Sequence, residues 1–284
     1  MNRVAPFIRI CRPGNSLLTF VAVCTAWVVA GGVLVPVDSV LLLGALAAAL
    51  TAAAGNVIND IFDLEPDRIN RPDRILPSGK LIVSTAMGLY GGLIISSLLI
   101  GFFFLSKESN LIILLTHLSL FFYSRLLKRL PLYGNLLISF LMGLAFIYGS
   151  VLLGNPIAGL VPAGFAFLFT FARELVKDLE DIEGDQTAQM KTFPVVYGIQ
   201  SAKHLSISVI CMSVMLLPVP TLSDYYGSFY LIVVIGFVGI PAIVLSVYLF
   251  LAKSKRDFSL ISLVLKILIL PSLLAISLDR YITL

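Results

Sequence analysis

Apolar stretches of about 18 or more residues recur from one end of this chain to the other, and nothing else in its 284 residues restricts the fold as strongly. In lipid, a backbone must satisfy its own N–H and C=O groups, which repeated runs of this length do as helices. Charged residues make up 13% of the sequence against 58% hydrophobic ones, too little charge to cover a water-soluble domain of this size. The expected fold class is therefore all-α: a polytopic membrane protein, a single domain over residues 1–284. Nine transmembrane helices are expected, at roughly 15–34, 40–59, 81–105, 110–125, 134–153, 157–174, 203–220, 228–251 and 258–278. Short connections at Ser106–Ser109 and Gly154–Pro156 make the helices on either side antiparallel neighbours. The N-terminus lacks a small-residue cleavage site after a short apolar core, so no removable signal peptide is expected. Cys11, Cys24 and Cys211 have spacings that suit neither zinc nor a disulfide framework and read as packing residues.

The connections alternate in charge, which orients the bundle. Seventeen of the 20 Lys and Arg residues fall on one side, from Arg3, Arg9 and Arg12 at the N-terminus to Lys253, Lys255 and Arg256 after the eighth span. By the positive-inside rule that face and the N-terminus are cytoplasmic, and an odd number of spans leaves the C-terminus outside. The net charge of +4 is thus a matter of topology, and no nucleic acid is expected as a partner. The acids share the asymmetry, although the rule does not demand it. Eleven of 16 carboxylates lie in two clusters on the cytoplasmic side, Asp60–Asp73 and Glu174–Asp185.

The first cluster lies in NVINDIFDLEPDRINRPDRILPSG, residues 56–79. Asn56, Asn59, Asp60, Asp63 and Asp67 are spaced by threes and fours, which stacks oxygen ligands along one helix face. Such a set at the end of a membrane helix suits a hard cation such as Mg²⁺. Arg68, Arg71, Arg74 and Lys80 follow at once, so an anion bound to that cation is the natural ligand. The second cluster, RELVKDLEDIEGD, repeats the spacing: Asp178, Asp181 and Asp185 match Asp60, Asp63 and Asp67 at i, i+3 and i+7. Two facing carboxylate triads, bridged by metal, are what a diphosphate substrate needs. One acidic cluster alone could be an idle solvated rim; two with matched spacing argue against that. Pro66 and Gly184 are expected to end their helices before Asp67 and Asp185. Arg12, Asn15, Tyr123, Arg125, Lys128 and Asn135 fall on the same face and would line a polar mouth, with Lys128 and Arg71 the first choices for phosphate. Tyr123 and Tyr148 could face a carbocation, Tyr148 more simply packing. His117 reads as a hydrogen-bonder inside the bundle, and Lys266 as a lysine that snorkels or pairs within it.

Asn59-Asp60-x2-Asp63-x3-Asp67, then RINRPDRILPSG, and Asp181-x3-Asp185 resemble the UbiA superfamily of intramembrane prenyltransferases. The similarity spans essentially the whole chain. It implies Mg²⁺ and the diphosphate of an isoprenoid donor held by Asn59, Asp60, Asp63, Asp67, Asp178, Asp181 and Asp185, with the lipid tail inside the bundle. It makes Asp63, Asp67, Asp181 and Asp185 the catalytic carboxylates. Diphosphate contacts would come from Lys128, Arg71, Arg125 and Tyr123, and other substrate contacts from Asn56, Arg12 and Asn15. RELVKDLEDIEGD with Lys191-Thr192 is most similar to digeranylgeranylglyceryl phosphate synthases, which prenylate the hydroxyl of geranylgeranylglyceryl phosphate in ether-lipid synthesis. The first motif also resembles those of chlorophyll synthases and quinone prenyltransferases, so an aromatic or chlorophyll-type acceptor is the alternative. The partners implied are a prenyl diphosphate, of which geranylgeranyl diphosphate is the first choice, a lipid-like acceptor and membrane lipids. A cation-coupled transporter is the remote alternative; it predicts acids at the bilayer midplane rather than at span ends.

Overall fold

The computed structural model describes residues 4–31 and 38–282; Arg3 and residues 32–34 of the first expected span lie outside them. All the regular structure among the described residues is helical. A short α1 (Ala5–Ile10) leads into α2 (Pro13–Val29), followed by α3 (Ser39–Phe62), α4 (Leu64–Asn70), α5 (Val83–Phe104), α6 (Lys107–Arg125) and α7 (Tyr133–Val151). Then come α8 (Leu160–Thr187), α9 (Phe193–Tyr197), α10 (Ile199–Leu216), α11 (Val219–Leu222), α12 (Ser228–Val234), α13 (Ile240–Leu251), α14 (Lys255–Ile267) and α15 (Ile269–Ile282). A π-helical turn, Ile235–Gly239, joins α12 to α13 and carries the rod past Pro241 without a break.

Among the described residues, seven helical rods are long and apolar enough to cross a membrane: α3, α5, α7, α8 with its leading turn, α10–α11, α12–α13 and α14–α15. The other two expected positions are also helical. α2 is described over 17 residues, and α6 runs for 19 but carries Lys107, Glu108, His117 and Arg125, which dilute its apolar character. α6 starts earlier than the expected residue 110 because Ser106 caps it, its hydroxyl accepting the Ser109 N–H at 3.1 Å. The sixth rod runs well past its expected end at 174, to Thr187, and so carries the whole second acidic motif on one continuous helix.

The two expected helix ends need correction. The first motif bends at Asp63, the C-cap of α3 (φ −88°, ψ 6°), rather than at Pro66. Pro66 lies in the first turn of α4, where its missing N–H costs nothing, so Asp67 sits inside a helix. Gly184 does not end α8 either. A Cβ there would come within 2.2 Å of the Asn70 side chain, so the glycine permits a close crossing of α4 over α8.

Packing then builds a chamber. α3 packs on α2, α5 and α6; α7 on α2 and α8; α8 on α10 and α14; α15 returns to α2. Gly149 lets α7 approach α2 closely, since a Cβ there would lie 2.5 Å from the Val23 carbonyl oxygen. α5 is the outer rod: 11% of its apolar window is buried, and Phe102, Phe103 and Phe104 are exposed, as a lipid-facing helix requires. His117 sits in the bundle interior as expected, within hydrogen-bond reach of Ser97 Oγ at 2.7 Å and Thr51 Oγ1 at 3.3 Å. Cys11, Cys24 and Cys211 are free.

Candidate active site

The aqueous end of the bundle draws the two acidic motifs together. Asp63 and Asp67, on the bend between α3 and α4, line one small cleft with Asp181 and Asp185 from the end of α8. Four cations line the same cleft: Arg71, Arg74, Lys128 and Lys177. The two halves are fastened by Asn70, whose Nδ2 donates to the Asp181 carbonyl oxygen at 2.8 Å while its Oδ1 accepts the Gly184 N–H at 3.1 Å. That crossing explains why α4 exists as a separate helix: the bend at Asp63 turns the chain over α8.

Each carboxylate has a specific partner. Arg71 donates to both Asp181 oxygens, at 3.0 and 3.1 Å, and to Glu180 at 3.2 Å. Lys128 pairs with Asp63, and Asn59 Nδ2 donates to the same Oδ2 at 2.6 Å. Arg74 pairs with Asp67 and reaches Asp60 at 3.5 Å; Arg12 also pairs with Asp60. Thr192 donates to Asp185 at 3.1 Å, and Asn135 Nδ2 donates to Asp178 at 2.9 Å. Among the described residues, no three His, Cys, Asp or Glu side chains converge as they stand on one metal position. The guanidinium and ammonium groups occupy the space between the acids.

The bend carboxylates titrate in opposite directions. Burial pushes Asp63 up, but the charge and hydrogen bond of Lys128, aided by Lys177 and Arg74, hold it below the usual carboxylate range. For Asp67 burial wins: with the negative charge of Asp63 nearby, its carboxyl lies above that range despite Arg74. On the basic side, burial works against Lys128 and Arg71, yet Asp63 raises the first and Asp181 with Glu180 the second, so both stay charged.

Below the cleft opens a second, much larger space of about 290 Å³, walled by α2, α3, α6, α7, α8 and α14–α15. Its lining is mostly Ala, Leu, Ile, Met and Phe, with Tyr148 in the wall donating to the Gly44 carbonyl oxygen at 3.1 Å. Arg12, Asn15, Asn56, Asn59, Tyr123, Arg173, Glu174, Lys177 and Lys266 form its polar end. Lys177 lines both spaces and so marks where they meet.

Of the expected site residues, Asp63, Asp67, Asp181, Asp185, Lys128 and Arg71 come together in the cleft, while Asn56, Asn59, Arg12, Asn15 and Tyr123 line the cavity. Asp60 and Asp178 line neither space; both are engaged by Arg or Asn neighbours. Arg125 is not brought to the site. It is exposed at the end of α6, its guanidinium 6.0 Å from the Phe121 ring centre. Arg74, expected only as one of the bases following the first motif, lines the cleft as well, and Lys177, Asn70 and Arg173 are site residues that the sequence reading missed. Lys177 and Arg173 were detectable from their place beside the acids on α8, whereas Asn70 carries no sequence signal.

The model of the UbiA prenyltransferase family matches residues 17–269, most of the chain. This chain belongs to the UbiA prenyltransferase family. A digeranylgeranylglyceryl phosphate synthase from Methanosphaera stadtmanae is 34% identical over 230 residues, covering 81% of this chain and 83% of that one. Among solved structures, a digeranylgeranylglyceryl phosphate synthase superposes with a TM-score of 0.76 at 29% identity, covering 99% of both chains. A UbiA homologue from Archaeoglobus fulgidus, solved with DMAPP and Mg²⁺, has a TM-score of 0.60 at 18% identity and covers 95% of this chain and 99% of its own, a likeness of fold. The UbiA-type chain described above is thus an integral membrane prenyltransferase, and the transporter alternative is set aside.

Proposed function

We propose that this enzyme transfers a geranylgeranyl group from its diphosphate to the free hydroxyl of geranylgeranylglyceryl phosphate. The observation that carries the reading is the meeting of both acidic motifs in one cleft at the head of an apolar chamber. The relatedness to digeranylgeranylglyceryl phosphate synthases supports the acceptor. The cleft offers oxygen donors alone among its acids and no Cys or His, the chemistry that Mg²⁺ prefers. Asp63, Asp67, Asp181 and Asp185 would hold it, with Asn59 orienting Asp63 and with Asp60 and Asp178 behind them. When bound, Mg²⁺ would neutralise charge on the departing diphosphate.

The chain's own residues do the rest. Lys128, Arg71 and Arg74 exchange their carboxylate partners for phosphate oxygens, so the positive charge is prepositioned where leaving-group charge develops. The apolar chamber holds the prenyl tail and keeps water from the allylic cation. Tyr123, buried at the junction, presents an aromatic ring on that side. The acceptor hydroxyl attacks C1 of the prenyl group as the C–O bond to diphosphate breaks, and its proton leaves to a carboxylate or to the acceptor's phosphate. The cleft, the positive charge around it and the N-terminus face the cytoplasm in this reading, and the C-terminus faces outward.

The test is a Mg²⁺-dependent assay with labelled geranylgeranyl diphosphate, offering geranylgeranylglyceryl phosphate and an aromatic acid in parallel. Label in the glycerophosphate ether is the expected result; label only in the aromatic acid overturns the acceptor.

A further inference from the structure

Lys266 lies on α14, facing the apolar chamber, and among the described residues no carboxylate pairs with it. Its ammonium donates to Asn15 Oδ1, and it shares the chamber lining with Arg173 and Arg12, both cations. A lysine eleven residues along the helix from Lys255 is about 16 Å deeper than the aqueous end, where an uncompensated charge marks a function.

Its two neighbours have their own oddities. Arg12 is held at φ 48°, in the left-handed region, immediately before Pro13, a backbone that non-glycine residues adopt when their surroundings enforce it. Arg173 donates to Glu174 at 2.6 Å but its Nε is buried without a hydrogen-bond partner. Arg173 also precedes Asp181 by eight residues on one helix, about 12 Å of rise below the aspartate cleft. Lys266, Arg12 and Arg173, with Lys177 at the junction, thus line the polar end of a chamber in which Glu174 is the one lining acid among the described residues; Arg12 is also paired with Asp60 behind the wall.

We infer that Lys266, Arg12 and Arg173 form a second anion subsite, apart from the aspartate cleft, which takes the phosphate monoester of the acceptor. The inference rests on the proposed acceptor and names what selects it. The donor's diphosphate belongs with the carboxylates because it needs metal; a phosphate monoester on a lipid needs only cations in a half-apolar wall. Glycerol sets its phosphate and its free hydroxyl a few atoms apart, so anchoring the first near the junction offers the second to the prenyl carbon.

The experiment uses the full-length protein, labelled geranylgeranyl diphosphate, and two acceptors: geranylgeranylglyceryl phosphate and its dephosphorylated alcohol. Lys266→Met should raise KM for the phosphorylated acceptor roughly 10- to 100-fold, erase the preference over the alcohol and leave the donor KM unchanged. Lys266→Arg should restore the preference, and an unchanged donor KM shows that the variants are folded. In wild-type enzyme, glycerol phosphate should compete with the acceptor and not with the donor, a reading that needs no variant. An unchanged acceptor KM, an equal rise in donor KM, or competition against the donor overturns the subsite. Absence of transfer to any glycerophosphate ether by wild-type enzyme overturns the acceptor reading itself, and the subsite with it.

Discussion

The aspartate cleft and the polar end of the chamber are neighbours built on opposite electrostatic plans. The cleft sets Asp63, Asp67, Asp181 and Asp185 against Arg71, Arg74, Lys128 and Lys177, four charges of each sign. Lys177 is shared with the chamber's polar end, where Arg12, Arg173 and Lys266 meet Glu174 as the one lining acid among the described residues, and Asp60, behind the wall, pairs with Arg12. In the proposed reaction a balanced cluster could exchange partners: its acids would hold the metal and its bases the diphosphate, and no charge would be left buried and unpaired. An unbalanced cluster waits for an anion that needs no metal. If the proposed subsite holds, the contrast teaches that charge count alone would separate a metal-bound diphosphate from a phosphate monoester within one membrane cavity.

Four experiments would break or sharpen that contrast. Chelation of divalent metal should abolish transfer, with full recovery on adding Mg²⁺, and Asp63→Ala or Asp181→Ala should lower kcat by about 10²–10³-fold; activity in either variant near wild type would remove the cleft from the chemistry. Lys128→Met leaves Asp63 buried without its cation, at a cost of about 3–5 kcal/mol in stability. Combined with Asp63→Asn, the loss in thermal midpoint should be clearly less than additive, because one substitution removes the charge the other strands. Gly184→Ala forces a methyl onto Asn70 and should destabilise by about 1–3 kcal/mol; a lower melting temperature with impaired transfer would show that the α4–α8 crossing holds the two motifs in register. The smallest effect belongs to the chamber wall. Tyr148→Phe removes one hydrogen bond to Gly44 and should cost about 1 kcal/mol in stability, with KM for donor and acceptor unmoved; a large change in either would give Tyr148 a substrate contact.

The helices and both acidic motifs were legible because they rest on local pattern: apolar run length, the i, i+3, i+7 spacing and a one-sided distribution of charge. The break at Asp63 was misplaced for an equally local reason. Proline is a strong helix stop in a helix interior, yet at Pro66 it sits in a first turn, and nothing in the sequence marks the turn of chain that puts it there. Gly184 misled in the same way, since its missing side chain answers to Asn70, 114 residues away in sequence.

From its sequence alone this chain was already a helical membrane protein with two matched diphosphate motifs on one face, since hydrophobic length and periodicity act within each segment. Tertiary structure decided which charges meet. It placed Arg74 between Asp60 and Asp67, sent Arg125 outward and, among the described residues, left Lys266 without an acid. Those outcomes depend on how separate helices cross, and a Coulomb interaction is set by distance in space, which spacing along the chain does not encode.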